Sequence, residues 1–195
     1  AASSYVTNCI IGYKSIRPDV SFILSQKKPD DFIDISVSTV IGSLPVCDDH
    51  TVVLEEEFFM AVPASSRFAA QPYVRLSDMA HEDFISLDKS RLIRAFCDSF
   101  CQSAGFTPHI IFESDNPESV KNLTVAGMGI AFWPIRSWGE LNTKSAVLLP
   151  IRDPICRRKV LFTIYDHGQK NPAVRDFYRY LCTHFQIGGR QTAEE

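Results

Sequence analysis

Apolar positions along the chain follow two patterns, a recurrence every three to four residues and a strict alternation, which mark helices and strands respectively. A helical recurrence and a strand run follow one another without a break in residues 112–134, FESDNPESVKNLTVAGMGIAFWP. Asn116 is placed to cap a helix, and Pro117 suits the first helical position, where a missing N–H costs nothing. Val120, Leu123 and Ala126 then recur at near-helical spacing, and Gly127 stands where a helix C-terminus takes a left-handed residue. Residues 130–133 are an uninterrupted apolar run, the mark of a strand covered on both faces. The spacing predicts a strand–helix–strand unit with its two strands parallel.

The same reading extends to both sides. Ser3 and Ser4 are N-cap candidates for a helix over 5–16, with Val6, Cys9, Ile10, Tyr13 and Ile16 as its stripe and Pro18 as its end. Residues 20–24 are β-prone. Ile33, Ile35 and Val37 alternate with Asp34, Ser36 and Ser38, and a short polar link at 26–31 joins the two runs. Strands are expected at 51–54 and 57–62, the second closed by Pro63, with Glu55, Glu56 and Glu57 as a solvated strand edge. Neighbouring strand residues point to opposite faces, so that triplet does not converge on a metal. A turn at 65–71, a short helix at 76–80 and a strand at 84–87 follow. Leu92, Ile93, Phe96, Cys97, Phe100 and Ala104 keep helical spacing up to Gly105. Beyond residue 134 come a helix at 135–141, strands at 147–151 and 160–165, and a last helix at 172–186 opened by Asn171 and Pro172. Its apolar face is Val174, Phe177, Leu181 and Phe185; Gly188 and Gly189 end it, before a frayed tail at 190–195.

Composition narrows the function classes. A chain of 195 residues, 45% hydrophobic, can bury one large or two small α/β lobes. A net charge of −3 argues against a duplex-binding surface, which needs clustered Lys and Arg. No apolar run approaches the roughly 18 residues of a membrane span, and no basic-then-apolar leader opens the sequence, so a soluble, cytosolic protein is expected. The six cysteines read as buried free thiols, with Cys97 and Cys101 as small core residues and not metal ligands. The five histidines fall in no metal motif, and no serine sits in a nucleophile elbow. Gly127-x-Gly129 follows its helix, whereas a phosphate-cradling fingerprint precedes one. No catalytic residue, metal or cofactor is expected.

The order Ala69, Leu76, Asp83-Phe84-Ile85-Ser86-Leu87, a helix, Ala104-Gly105-Phe106-x-Pro108, Phe112-Glu113, Val125-Ala126-Gly127-x-Gly129-Ile130-Ala131 and Pro134 resembles the effector-binding domain of LysR-type transcriptional regulators, from about residue 4 to 185. The resemblance implies an α/β fold of two Rossmann-like lobes joined by two crossover strands, periplasmic-binding-protein-like. Lobe I would comprise 1–60 and 155–195 and lobe II 64–150, with the helices 5–16 and 172–186 packed together. Such a domain normally begins with a strand feeding its first helix, so the chain is expected to start just inside it. The family's helix-turn-helix DNA-binding domain is then expected upstream and absent here. Family members also place a second helix near 26–31, which leaves any dimer surface there open.

The implied job is regulatory. A small-molecule effector bound between the lobes would shift a homodimer or homotetramer, without catalysis, with DNA contacted only through the missing N-terminal domain and no membrane involved. The rival is a solute-binding protein of the same fold serving transport, which a leader or lipid-anchor cysteine would favour. A two-lobed biosynthetic enzyme would need convergent acid and base groups. Helix N-termini and strand C-terminal ends of a parallel sheet meet in one crevice, where N–H groups and hydroxyls hold polar ligands. Three such corners match the family's effector loops: Ser3, Ser4 and Thr7; Ser38 and Thr39, after the second strand; Ser86 and Leu87, after the strand at 84–87. Glu113 to Asn116 and Trp133 to Pro134 supply the remaining wall. A carboxylate and a sugar hydroxyl both suit these corners.

Overall fold

A computed structural model describes residues 3–25, 33–40, 50–141 and 143–187; the expected link at 26–31, the glycine stop at 188–189 and the tail at 190–195 lie outside them. The elements run α1 (Ser3–Ile16), β1 (Ile35–Val40), β2 (Thr51–Pro63), β3 (Val74–Arg75), a 3₁₀ turn at Leu76–Met79, β4 (Asp83–Leu87), α2 (Leu92–Ser103), β5 (His109–Ser114), α3 (Pro117–Val125), β6 (Ala131–Pro134), α4 (Ile135–Trp138), β7 (Ala146–Arg152), β8 (Arg157–Ile164), α5 (Asp166–Lys170) and α6 (Pro172–Ile187). They form two compact units. Unit 1 is Ala1–Glu56, Arg136–Gly139 and Arg158–Glu195; unit 2 is Glu57–Ile135 and Glu140–Arg157.

Unit 1 is helices laid on a small sheet. β1 pairs antiparallel with β8, which also lies beside β2. Phe162 and Phe185 anchor the core, with ring centroids 5.1 Å apart. Helix α1 packs on α6: the Tyr5 ring meets Phe185 edge-on at 5.0 Å, its hydroxyl donates to the Leu181 carbonyl, and Tyr13 sits against Phe177 and Tyr180. Such aromatic pairs add to the area they bury. The expected stripe holds at Val6, Cys9 and Tyr13, but Ile16 is exposed, one turn beyond the last contact with α6. Residues 20–24 form no strand, and Ile23 is fully exposed. A β-prone run becomes a strand only where a neighbour offers a ladder, and the described residues offer none there.

Unit 2 contains its own core, built around Phe58, Met60, Phe84 and Phe132. The second half of β2 pairs antiparallel with β6 on one side and β7 on the other, and β3 runs parallel to β7. A second, parallel pair joins β4 to β5, and Ile130 adds a parallel bridge to Phe84 at the other edge of β4. The expected parallel unit is therefore present, with β4 lying between its two strands. Its helix α3 begins where the sequence placed it, the Asn116 Oδ1 accepting the Glu118 N–H at 2.9 Å. Gly127, at φ +76°, closes it in the left-handed region. Gly129 has a different reason: a Cβ there would lie 2.7 Å from the Asp83 carbonyl oxygen, against which Ile130 bonds.

Two expectations on β2 are corrected together. It is one thirteen-residue strand, not two, and the acidic triplet is not a solvated edge. Period-two alternation puts Glu56 in the same row as Leu54, Phe58 and Met60, and Glu56 is fully buried. The helix expected at 135–141 is the single turn α4, and α5 was not expected at all.

Gly129→Ala should destabilise the chain by about 1–3 kcal/mol, as overpacking against rigid backbone does, with urea unfolding followed by circular dichroism as the measurement. A loss below a few tenths of a kcal/mol would show that the Asp83 strand end yields freely.

Candidate functional site

The parallel pair β4–β5 ends at a turn on each strand, and the two turns are tied to one another. The Asp88 N–H donates to the Ser114 carbonyl at 2.9 Å, and Arg91 Nε donates to the Asp115 carbonyl at 2.8 Å. Within the first turn the Asp88 carboxylate accepts from the Ser90 N–H at 2.9 Å and the Ser90 hydroxyl at 2.6 Å. Those bonds hold its pKa below the usual carboxylate range. Helix α2 starts next with no side-chain cap; the Arg94 N–H donates to the Arg91 carbonyl at 2.9 Å, and the Leu92 and Ile93 N–H groups precede it at this end of the sheet.

Ser86 and Glu113 are paired across this sheet end, as are Leu87 and Ser114. The register thus brings three of the expected residues together. The Ser86 hydroxyl donates to the Leu87 carbonyl at 3.0 Å, which leaves its lone pairs as acceptors. Glu113 is half-exposed and accepts from Arg94 Nη1. Ser86 and Leu87 close β4 instead of following it, and Leu87 is buried.

Sequence reasoning missed Arg94. It is buried at 7% exposure, yet it donates to the Leu87 carbonyl at 3.2 Å, to Asp98 at 2.8 Å and to Glu113. Burial works against its charge, but the bonds to Glu113 and Asp98 outweigh that and raise its pKa above the ordinary value. Because its charge is already matched by two carboxylates, any anion held here would rest on backbone N–H groups more than on Arg94. The pattern Asp88-x-Ser90 ahead of a helix was the local signal for this corner.

The remaining expected residues stand elsewhere. Trp133 is 2% exposed and opposite Phe59 in the β2–β6 ladder, on the other face of β6 from Phe132 and the core of unit 2. In unit 1, Ser3 and Ser4 open α1, with Ser4 half-buried and Thr7 exposed. Ser38 and Thr39 lie inside β1, paired with Leu161 and Val160, and not beyond its end, because the ladder with β8 runs on to Val40. A separate open cavity of about 480 Å3 lies at the other end of β4, lined among others by Arg67, Glu82, Asp83 and Gly129, and none of the expected residues reaches it. Among the described residues no three His, Cys, Asp or Glu side chains are grouped to hold a metal. None of their helices is long and apolar enough to cross a membrane.

The chain matches the model of the LysR substrate binding domain over residues 1–186. It belongs to that family. The fold is accordingly the two-lobed α/β, periplasmic-binding-protein-like one. The chain is similar to the transcriptional dual regulator GltC of Bacillus subtilis, 26% identical over 94% of this chain and 64% of that protein, and so spans about three-fifths of the length of the curated relatives it matches. Among solved structures it resembles a LysR family regulator of Pseudomonas aeruginosa, with TM-score 0.70, 20% identity and 95% of this chain against 68% of the other. It also resembles the regulatory domain of Synechocystis CcmR in complex with 2-PG, with TM-score 0.70, 14% identity and coverages of 97% and 94%.

The thiols of this LysR-type domain are buried at Cys9, Cys97, Cys101, Cys156 and Cys182. Burial pushes Cys101 and Cys156 up to about 12 and Cys182 up to about 11, so the reactive thiolate is scarce near neutral pH. At pH 8 these five thiols of the native chain should react slowly toward an aromatic disulfide and be released on denaturation. Two or more fast thiols would contradict the packing. Arg94→Ala should cost about 2–3 kcal/mol in urea unfolding, the range for losing hydrogen bonds to charged groups, whereas Arg179→Ala, which breaks only an exposed pair, should leave the midpoint nearly unchanged.

Proposed function

We propose that this chain is the effector-binding part of a LysR-type transcriptional regulator. A small polar metabolite binds at the strand-end corner of Ser86, Leu87 and Glu113. Binding shifts the populations of a dimer or tetramer, to the extent that the ligand prefers one arrangement. The observation that carries this reading is the family match over residues 1–186, joined to a parallel sheet end where helix α2 presents uncapped N–H groups.

Contact with DNA, in this reading, is made by a part of the full-length protein outside these 195 residues, in keeping with a net charge of −3. The protein works in the cytoplasm and performs no catalysis. GltC and the malonate utilization regulator of Klebsiella pneumoniae are both named as regulators of transcription, which favours this reading over a transport role.

A thermal-shift screen tests the proposal. A true effector at about 100 times its dissociation constant stabilises the fold by roughly 2.7 kcal/mol. A shift from a carboxylate, amino acid or sugar, weakened about two- to tenfold in affinity by Ser86→Ala, is expected. Silence across all three classes, or a hit indifferent to changes at Ser86 and Glu113, would sink the assignment of this corner.

A further inference from the structure

The parallel pair β3–β7 sets Arg75 directly beside Arg152 in register, both exposed, while their neighbours Val74 and Ile151 point to the opposite face, into the core of unit 2. Tyr73 stands two residues before Arg75, and the Arg152 guanidinium stacks over its ring, 4.8 Å from the centroid. Stacking covers a flat face of the guanidinium and leaves the N–H groups around its rim as donors. Among the described residues neither arginine forms a hydrogen bond or an ion pair; Asp78 and Asp153 stand near them in the chain and bridge to neither. Other exposed arginines are matched, Arg17 by Asp19, Arg67 by Glu82 and Arg179 by Asp176. Like charges side by side across a ladder repel, so this pair is unfavourable as it stands.

We propose that Arg75 and Arg152 form a binding site for a phosphate group, each guanidinium donating to different oxygens of one dianion and the Tyr73 ring holding Arg152 in place. A carboxylate presents two oxygens in one plane and a single charge, which one guanidinium fork satisfies. A phosphate monoester or free phosphate carries up to about two negative charges near neutral pH, on oxygens that face several directions. It can therefore bridge two forks on neighbouring strands and cancel their repulsion. The site stands on the sheet that contains β2, β3 and β7, not on the β4–β5 pair, and it does not depend on the effector assigned to the Ser86 corner.

The test is isothermal titration calorimetry of inorganic phosphate, glycerol 3-phosphate and acetate into the chain, in chloride of matched ionic strength. Inorganic phosphate is expected to bind the parent, and Arg75→Gln and Arg152→Gln are each expected to weaken it about tenfold or more. Ser86→Ala should leave the affinity unchanged, as should Arg67→Gln, which removes an exposed arginine already paired with Glu82. In phosphate-free buffer of low salt, Arg75→Gln should unfold at a urea concentration no lower than the parent, because the repulsion has been removed. Tighter binding of glycerol 3-phosphate than of inorganic phosphate would identify a phosphorylated metabolite as the occupant, and equal or weaker binding would identify free phosphate; both support the site. No phosphate binding, acetate bound as tightly as phosphate, or a loss shared by Arg67→Gln would overturn the proposal. So would a lower urea midpoint for Arg75→Gln without phosphate, which would mean that Arg75 is already satisfied within the chain.

Discussion

A carboxylate cut off from water must be met by donors in fixed positions, because leaving it unmet costs more than most single contacts return. Glu56 imposes that demand in the middle of β2. It occupies a core row between Leu54 and Phe58, so the strand cannot turn it outward without exposing its apolar neighbours. The donors come from Arg158 on β8 and Ser137 in α4, and the position of those two segments against β2 is thereby specified to within a hydrogen bond. Hydrophobic contacts alone tolerate sliding; a polar cluster with directional partners does not.

The corner at the end of β4 is organised on a similar principle at lower stakes. Arg94 satisfies the Leu87 carbonyl and two carboxylates at once, and Arg91 and Asp88 tie the neighbouring turns. Helix α2 begins there without a side-chain cap, and the Ser86 hydroxyl, donating to Leu87, keeps its acceptor side.

How much of this the sequence disclosed depends on the range of the cause. Asn116, Pro117 and Gly127 act within one turn of the chain, so the bounds of α3 could be read directly. The pairing of Ser86 with Glu113 depends on the register of β4 against β5, which local signals do not fix. The fate of Glu56 could not be read, since its main partner is 102 residues away and a lone glutamate among charged neighbours looks like a solvated face. Residues 20–24 misled for the converse reason: their β propensity is a preference for a pleated surface, and propensity does not supply the neighbouring strand. Trp133 was placed by its position at the end of a buried run, and only the ladder with β2 shows it opposite Phe59.

The discontinuity of unit 1 along the chain also sets an order of events in folding. The bond between Ser36 and Tyr165 links residues 129 apart, whereas that between Asp83 and His109 spans only 26. Closing the longer loop costs about 1.4 kcal/mol more in chain entropy, by the logarithmic dependence on loop length. The β4–β5 pair can form from local encounters while α1 still waits for β8 and α6, which follow it by more than 140 residues. Until then the aromatic face of α1, with Tyr5 and Tyr13, stands uncovered, which makes unit 1 the half of the nascent chain most in need of protection.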